Sequence, residues 1–317
     1  MIFDKMIGQE QAKDLLQFYL EAKDKLGIFP NMLMLAPKGT GKTYLAELLG
    51  EALEKPFIKI NAASIKSFDS LVHKVFEKFE GEEYTLFIDE IHKLKKGSST
   101  IDGLLTVLDT KSSHVTELTH EDRKIIFDFR KFTFLASTTE KQLVFEPFLD
   151  RLQHITLVAY SPEEIGKIIR FHTPDLFLTQ DAVDFLLPYC RGNARQAWHI
   201  AQNLIKFAAV NDLKTVDKDA AVAFTDKLHM LEFGVTLEEF RVLRLIAEET
   251  KGVTLTTLTS RTDYTKGSQQ DIEKFLLRLG LITNENSLRK VTQKGKDYIT
   301  RNLKYATPKR GSQSAQS

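Results

Sequence analysis

The sequence predicts an α/β fold in which a P-loop nucleotide-binding core on a parallel sheet is followed by a helical lid domain and a C-terminal winged-helix domain. Three observations carry this. The stretch Ala36-Pro37-Lys38-Gly39-Thr40-Gly41-Lys42-Thr43 lies between the apolar run Met32-Leu33-Met34-Leu35 and the helical pattern Tyr44-Leu45-Ala46-Glu47-Leu48-Leu49, which is the strand, loop and helix context that a phosphate loop needs. The apolar run Tyr84-Thr85-Leu86-Phe87-Ile88 ends in two carboxylates, Asp89 and Glu90. Towards the C terminus, three amphipathic segments are followed by a hairpin pattern, the order of a helix-turn-helix with a wing.

Length and composition bound the rest. At 317 residues the chain predicts two or three domains, and 42% hydrophobic with 27% charged residues is a globular balance. The start Met1-Ile2-Phe3-Asp4-Lys5 lacks a long apolar segment, and no run approaches the roughly 18 residues of a membrane span, so a cytoplasmic protein without a membrane role is expected. The single cysteine, Cys190, excludes an internal disulfide and reads as a buried structural thiol. A net charge of +1 hides an asymmetry: residues 251–310 hold 13 basic and 5 acidic residues, leaving 31 basic and 38 acidic elsewhere. A basic C-terminal module on an acidic engine predicts that a polyanion docks there.

In chain order, a helix is predicted to run to about Leu26, with Leu15, Leu16, Tyr19 and Leu20 on its apolar face. Just before it, Met6-Ile7-Gly8-Gln9 falls where many P-loop motors line the adenine pocket. After the P-loop helix, residues 57–61 read as a short buried strand and 67–80 as a helix with Leu71, Val75 and Phe79 inward. Alternation of this kind implies a parallel sheet with right-handed crossovers. A further helix over 100–109 precedes an inserted hairpin over 112–130, with Val115 and Leu118 on one arm and 125–129 on the other. Phe132 to Thr139 reads as the next core strand, its polar end at the carboxyl edge of the sheet where a γ-phosphate would lie. Asp150-Arg151 comes before one more strand around Ile155; in ring-forming ATPases this is a place from which a guanidinium reaches a neighbour's nucleotide, and its plain alternative is an ion pair with Asp150.

Ser161-Pro162-Glu163-Glu164 is a strong helix start, and an all-helical stretch is expected to about Leu231. Within it Arg191-Gly192-Asn193-Ala194-Arg195 opens a helix whose Trp198, Ile200, Ala201, Leu204 and Phe207 read as core. Arg195 is a cation in a first turn, against the helix dipole, and calls for an anion. In the last module, the third helix would present Gln269, Gln270, Lys274 and Arg278 to a DNA groove, with Arg289 and Lys290 on the wing. The domains expected are 1–160, 161–233 and 234–302, with a disordered tail over 303–317.

The chemistry follows from residue types. Phosphates need backbone N–H groups that only a Gly-rich turn brings close, a helix N-terminus, a lysine charge and a hydroxyl for Mg²⁺. Gly39, Thr40, Gly41, Lys42, Thr43 and Tyr44 make up that stretch, with Asp89 on Mg²⁺ through water and Glu90 polarising the attacking water. ATP and Mg²⁺ are the cofactors so implied.

Taken in order, Ile7-Gly8-Gln9, the G-T-G-K-T loop, Leu86-Phe87-Ile88-Asp89-Glu90-Ile91-His92-Lys93-Leu94, Ser137-Thr138-Thr139, Asp150-Arg151, Arg191 to Arg195 and the winged helix resemble the RuvB family, AAA+ motors of Holliday-junction branch migration. The resemblance covers about residues 3–302. It implies that Ile7 and Gly8 flank adenine, Thr139 senses the γ-phosphate, Arg151 acts on the adjacent subunit of a hexamer and Arg195 senses nucleotide from the lid. It also implies a DNA substrate, branched or duplex, in recombination and repair, and a RuvA-like partner at the hairpin. Departures such as Leu152-Gln153 after the finger fit a divergent, phage-encoded relative. The alternatives are a loader or initiator ATPase that positions a helicase or clamp without translocating, and a transcription-type regulator.

Overall fold

The computed structural model describes residues 2–109, 115–120 and 123–303, with the side chains of His120 and Arg123 left aside. The predicted hairpin's first residues, 112–114, its turn, 121–122, and the expected tail from 304 onward lie outside the described residues. Contacts divide the described residues into two compact units, those within 1–172 together with 192–201, and 173–191 together with those from 202 to 303.

The first unit starts with α1 (Glu10–Leu26), β1 (Met32–Leu35), α2 (Lys42–Ala52), β2 (Phe57–Asn61), α3 (Phe68–Leu71), β3 (Tyr84–Asp89) and α4 (Ser99–Val107). It continues with β4 (Val115–His120), β5 (Arg123–Asp128), β6 (Phe132–Thr138), α5 (Glu146–Arg151), β7 (Gln153–Thr156) and α6 (Pro162–Phe171). Five strands form one parallel sheet in the order β2-β3-β6-β1-β7. The three inner strands, MLML, YTLFID and FTFLAST, are apolar runs with nearly every residue buried, as strands covered on both faces must be. The edge strand β2 is half-exposed and not buried as its sequence suggested, because only β3 flanks it.

Register decides where the chemistry sits. Leu35 lies level with Thr138 and with Thr156, and Ile88 with Ala136. The P-loop, Asp89-Glu90 and Ser137 to Thr139 therefore leave the sheet at one carboxyl edge.

The segment predicted as a helix over 67–80 is instead one turn of α3 followed by a π-turn over Val72–Phe76. Leu71, Val72, Val75 and Phe76 are all buried in the core cluster against the sheet. The hairpin β4–β5 is present, and one of its faces packs on the core: Phe127 meets Phe76 edge-on at 4.8 Å and lies 5.5 Å from Phe132. Buried Lys55 fastens its return, donating to the carbonyls of Arg130 and Lys131 at 2.7 and 2.8 Å. Helix α6 begins with the predicted Ser161 cap, completed as a capping box by Glu164.

In the second unit, β8 (Phe177–Leu178) leads into α7 (Gln180–Cys190). Helix α8 (Ala194–Val210) opens within the first unit and is followed by β9 (Thr215–Val216) and α9 (Lys218–Lys227). The stretch expected to be all-helical thus contains a two-residue parallel ladder, β8 with β9. Trp198, expected in the core, is 42% exposed, while Ile200, Ala201 and Leu204 are buried as expected. Cys190 is buried with its thiol towards the Leu186 carbonyl.

Three helices follow, α10 (Leu237–Glu248), α11 (Leu255–Arg261) and α12 (Lys266–Arg278), then the antiparallel pair β10 (Ile282–Glu285) and β11 (Leu288–Val291), and α13 (Gln293–Asn302). Their core is built on Phe240, Leu243, Ile246, Phe275, Leu276 and Tyr298. This is the order of helices and hairpin that the winged-helix reading expects, and a bridge from Val253 to Arg289 adds a third strand position to the wing.

Candidate active site

The loop between β1 and α2 can take its shape because Gly39 and Gly41 adopt φ of +81° and +91°, where a side chain would be strained. Space forbids one as well: a Cβ on Gly41 would lie 2.7 Å from the Met6 methyl. Thr40 Oγ1 donates back to the Pro37 carbonyl, and the buried Tyr160 hydroxyl donates to the Thr40 carbonyl at 3.1 Å, so the loop is braced from two sides. Burial pushes the Tyr160 phenol up to about 12, keeping it a donor.

Lys42 is buried at the N-terminus of α2 and donates to the carbonyls of Ala36 and Pro37, each at 3.1 Å. Burial lowers its pKa, and the carboxylates of Glu90 and Asp89 oppose that effect. The ammonium is thus held at the mouth of a loop of backbone N–H groups, beside the two acids, which is an arrangement for phosphate oxygens.

Asp89, at the end of β3, is met by hydroxyls from two neighbouring elements: Ser137 Oγ of β6 donates to Oδ1, and Thr43 Oγ1 of α2 stands 3.5 Å from Oδ2. A hydroxyl and a carboxylate facing each other beside the phosphate loop are hard oxygen donors that fit Mg²⁺, which takes one or two protein oxygens and completes its shell with phosphate and water.

Glu90 takes a left-handed backbone, φ 59° and ψ 46°. Its side chain is held from two directions: Thr139 Oγ1 donates to Oε2 at 3.4 Å, and His92 Nε2 lies 3.5 Å from the same oxygen. His92 is itself tied to Thr138 Oγ1 through Nδ1 at 2.9 Å. The end of β6 therefore reaches Glu90 both directly and through His92.

Ile7 and Gly8 sit in the turn before α1. Gln9 makes a two-way bond with the Val158 backbone at 2.8 and 3.0 Å, which pins this segment to the exit of β7. A Cβ on Gly8 (φ +69°) would fall 2.4 Å from Glu164 Oε1, so this segment lies against the start of α6. Tyr44 is exposed on the outer side of α2 and donates to the Lys5 carbonyl at 3.2 Å.

Arg151 closes α5. One guanidinium nitrogen donates to the Pro147 carbonyl at 3.2 Å, Nε is buried without a partner, and no ion pair with Asp150 or with any other described residue forms. The plain alternative of an Asp150 pair is thus not what the side chain does. Arg195 is exposed in the first turn of α8, without a carboxylate partner among the described residues, and its charge is among those that lower the Lys42 pKa.

The proposed nucleic-acid face needs two corrections. Gln269 is fully buried, accepting from Thr262 Oγ1, because it packs where α12 meets α11. Arg289, 8% exposed, pairs with Glu273 at 2.9 Å and donates to the Ser287 carbonyl, so it fastens the wing to α12. Gln270, Lys274 and Arg278 do face outward, and Lys290 is half-buried with a Glu285 partner at 3.1 Å.

His92, Ser137 and Asn193 escaped the sequence reading as site residues. His92 stands two residues beyond the acidic pair and Ser137 one strand across, so their contacts with the acids depend on register. Asn193 was legible only as part of a loop, yet its amide lies against Gly39 and donates to the Lys38 carbonyl at 3.1 Å.

Residues 32–160 match the model of the ATPase family associated with various cellular activities (AAA). The chain is 26% identical over 305 residues to the Holliday junction branch migration complex subunit RuvB of Mycoplasmopsis synoviae (strain 53), covering 94% of this chain and 95% of that one. It is 29% identical over 288 residues to the same subunit of a Nitratiruptor species, covering 88% and 84%. Among solved structures, the Thermotoga maritima RuvB Holliday junction branch migration motor aligns with a TM-score of 0.74 at 23% identity, over 95% of this chain and 96% of that chain. An AAA core within a chain similar to RuvB along nearly its whole length is what these likenesses amount to.

Proposed function

We propose that this RuvB-like chain is an ATP-driven DNA motor that migrates Holliday junctions during recombination and repair. The observation that carries the reading is the meeting of Lys42, Thr43, Asp89, Glu90, Ser137 and Thr139 at one sheet edge, tied together by hydrogen bonds and charge, in a chain similar to RuvB over most of its length.

Each residue has a task the geometry suits. Ile7 and Gly8 flank the adenine; Gly39, Thr40 and Gly41 offer backbone N–H groups to the phosphates, and Lys42 exchanges its loop carbonyls for phosphate oxygens. Thr43 and Asp89 would hold Mg²⁺, which supplies charge neutralisation at the phosphates. Glu90 orients and polarises the attacking water, and Thr139, bonded to it, registers the γ-phosphate. Arg151, with a guanidinium that has no carboxylate to satisfy it within its own chain's described residues, acts on the nucleotide of the next subunit of a hexamer. Arg195 senses nucleotide from the lid. We assign the core to 1–160, the lid to 161–233 and a DNA-binding winged helix to 234–302, with Gln270, Lys274, Arg278 and Lys290 towards DNA. The outer face of the hairpin is the place for a RuvA-like partner, and the protein works in the cytoplasm.

The test is a synthetic four-way junction incubated with protein and ATP, alone and with a junction-binding partner. ATP-dependent movement of the branch point, abolished by Lys42→Ala, is the expected result. DNA-stimulated ATP hydrolysis with no movement under either condition would replace this reading by a loader or initiator ATPase.

A further inference from the structure

We infer that Asn193 is a positioning residue for the nucleotide site, its amide clasping the phosphate loop so that Arg195 is kept beside it. The inference rests on the nucleotide-binding reading above and adds to it a residue whose contacts differ from those of the phosphate loop itself.

The two ends of one amide do two jobs. Asn193 Oδ1 accepts the N–H groups of Arg195 at 2.9 Å and Gln196 at 3.3 Å, which is the bonding of a helix N-cap and orients the first turn of α8. Its Nδ2 donates to the Lys38 carbonyl at 3.1 Å, and the adjacent Ala194 N–H donates to the Gly39 carbonyl at 3.2 Å. Two successive peptide units of the phosphate loop are therefore bonded to two successive residues at the start of α8.

The fit is close as well as bonded. A Cβ on Gly39 would stand 2.1 Å from Asn193 Oδ1 and 2.2 Å from Nδ2, so the amide lies directly on the glycine. Gly39 thus answers to two demands, a positive φ for the loop and room for Asn193. Residues 192–201 group with the core and apart from the helical residues on either side of them in sequence, as a clasp of this kind produces. Arg195 is two residues away, and its charge already bears on Lys42; releasing the clasp would free that charge to leave the phosphates.

Cap and clasp separate chemically. A serine at this position caps a helix as well as asparagine does, yet its hydroxyl ends one bond nearer the backbone than the Asn193 Nδ2 and, held at the helix N–H groups, falls short of the Lys38 carbonyl, which loses its donor. The experiment measures binding of a fluorescent ATP analogue, and steady-state turnover, for Asn193→Ser, Asn193→Ala, Arg195→Ala and the double variant Asn193→Ser/Arg195→Ala. Asn193→Ser is expected to keep the thermal midpoint and to weaken binding roughly three- to tenfold, the fold-change that one lost hydrogen bond brings. In the Arg195→Ala background it should weaken binding no further, because the guanidinium it positions is gone. Asn193→Ala should lower the midpoint as well. Wild-type affinity in Asn193→Ser, or losses that multiply in the double variant, would overturn the inference while leaving the nucleotide site intact. Equal binding by wild type and Lys42→Ala would instead remove the site on which it rests.

Discussion

Glu90 is held in a left-handed conformation that costs a non-glycine residue about 1–2 kcal/mol, and its carboxylate is restrained by Thr139 and His92. Such expenditure at one side chain marks a residue whose direction matters. Glu90→Gln keeps the shape and the acceptor oxygen and removes the carboxylate proposed to polarise the water. It should bind ATP as wild type does and lose turnover by about 10² or more; normal steady-state hydrolysis would take Glu90 out of the mechanism. Lys42→Ala should lose nucleotide binding itself, measured by the same titration. Cys190 gives a check on the fold rather than the chemistry: burial pushes its thiol up to about 12, so a thiol reagent at about pH 8, near the ordinary thiol pKa, should leave the native protein unlabelled and label it fully once unfolded. Rapid labelling of the native chain would contradict the buried placement.

At the scale of elements, the hairpin shows a two-faced construction. Leu118, Ile125 and Phe127 point inward into the core cluster, Phe127 against Phe76 and Phe132, while Val115 and Ile126 are 40% and 55% exposed. The two faces predict separate phenotypes. Phe127→Ala should cost about 3–5 kcal/mol of stability in denaturant unfolding, whereas Ile126→Glu should leave stability unchanged and abolish stimulation by a junction-binding partner. A stimulated Ile126→Glu protein would mean that the outer face docks nothing. The strands here were legible because alternation and apolar runs are local signals: β1, β3 and β6 follow from composition alone. The positions of Lys42, Asp89 and Glu90 were legible too, since glycines and carboxylates stand at strand ends in any such core. What was not legible depends on a partner far away in the chain. Arg289 reads as a basic wing residue until Glu273 is found beside it at 2.9 Å. Gln269 lies on the polar side of its helix by periodicity, yet α11 covers it. The segment after Ser67 keeps helical spacing and is helical at its start, but its turn over Val72–Phe76 is a π-turn, which an apolar pattern shared with the α-helix does not distinguish.

At the scale of the whole molecule, Arg151 is the residue whose structure makes least sense within a single chain. Its guanidinium makes one bond to a carbonyl at 3.2 Å, buries Nε without a partner and forms no ion pair with any described carboxylate. In the finger reading its counterpart is a nucleotide bound to a neighbouring copy. The two readings differ by orders of magnitude. A finger stabilising charge on the transferred phosphoryl group is worth about 10³ to 10⁵ in rate, while a surface cation contributes at most about 1 kcal/mol to stability. Arg151→Ala should therefore fold, bind ATP and hydrolyse it at least about a thousandfold more slowly. Acting in trans makes a further demand that no active site complete in one chain can meet. Arg151→Ala brings an intact phosphate loop, and Lys42→Ala brings an intact finger. Mixed in one ring, they create interfaces where both are present, so the mixture should hydrolyse ATP faster than either protein alone, with a maximum near equal proportions. Unchanged turnover in Arg151→Ala would sink the finger. Lost turnover with no recovery on mixing would confine the arginine to its own subunit and take away the argument for a hydrolytic ring.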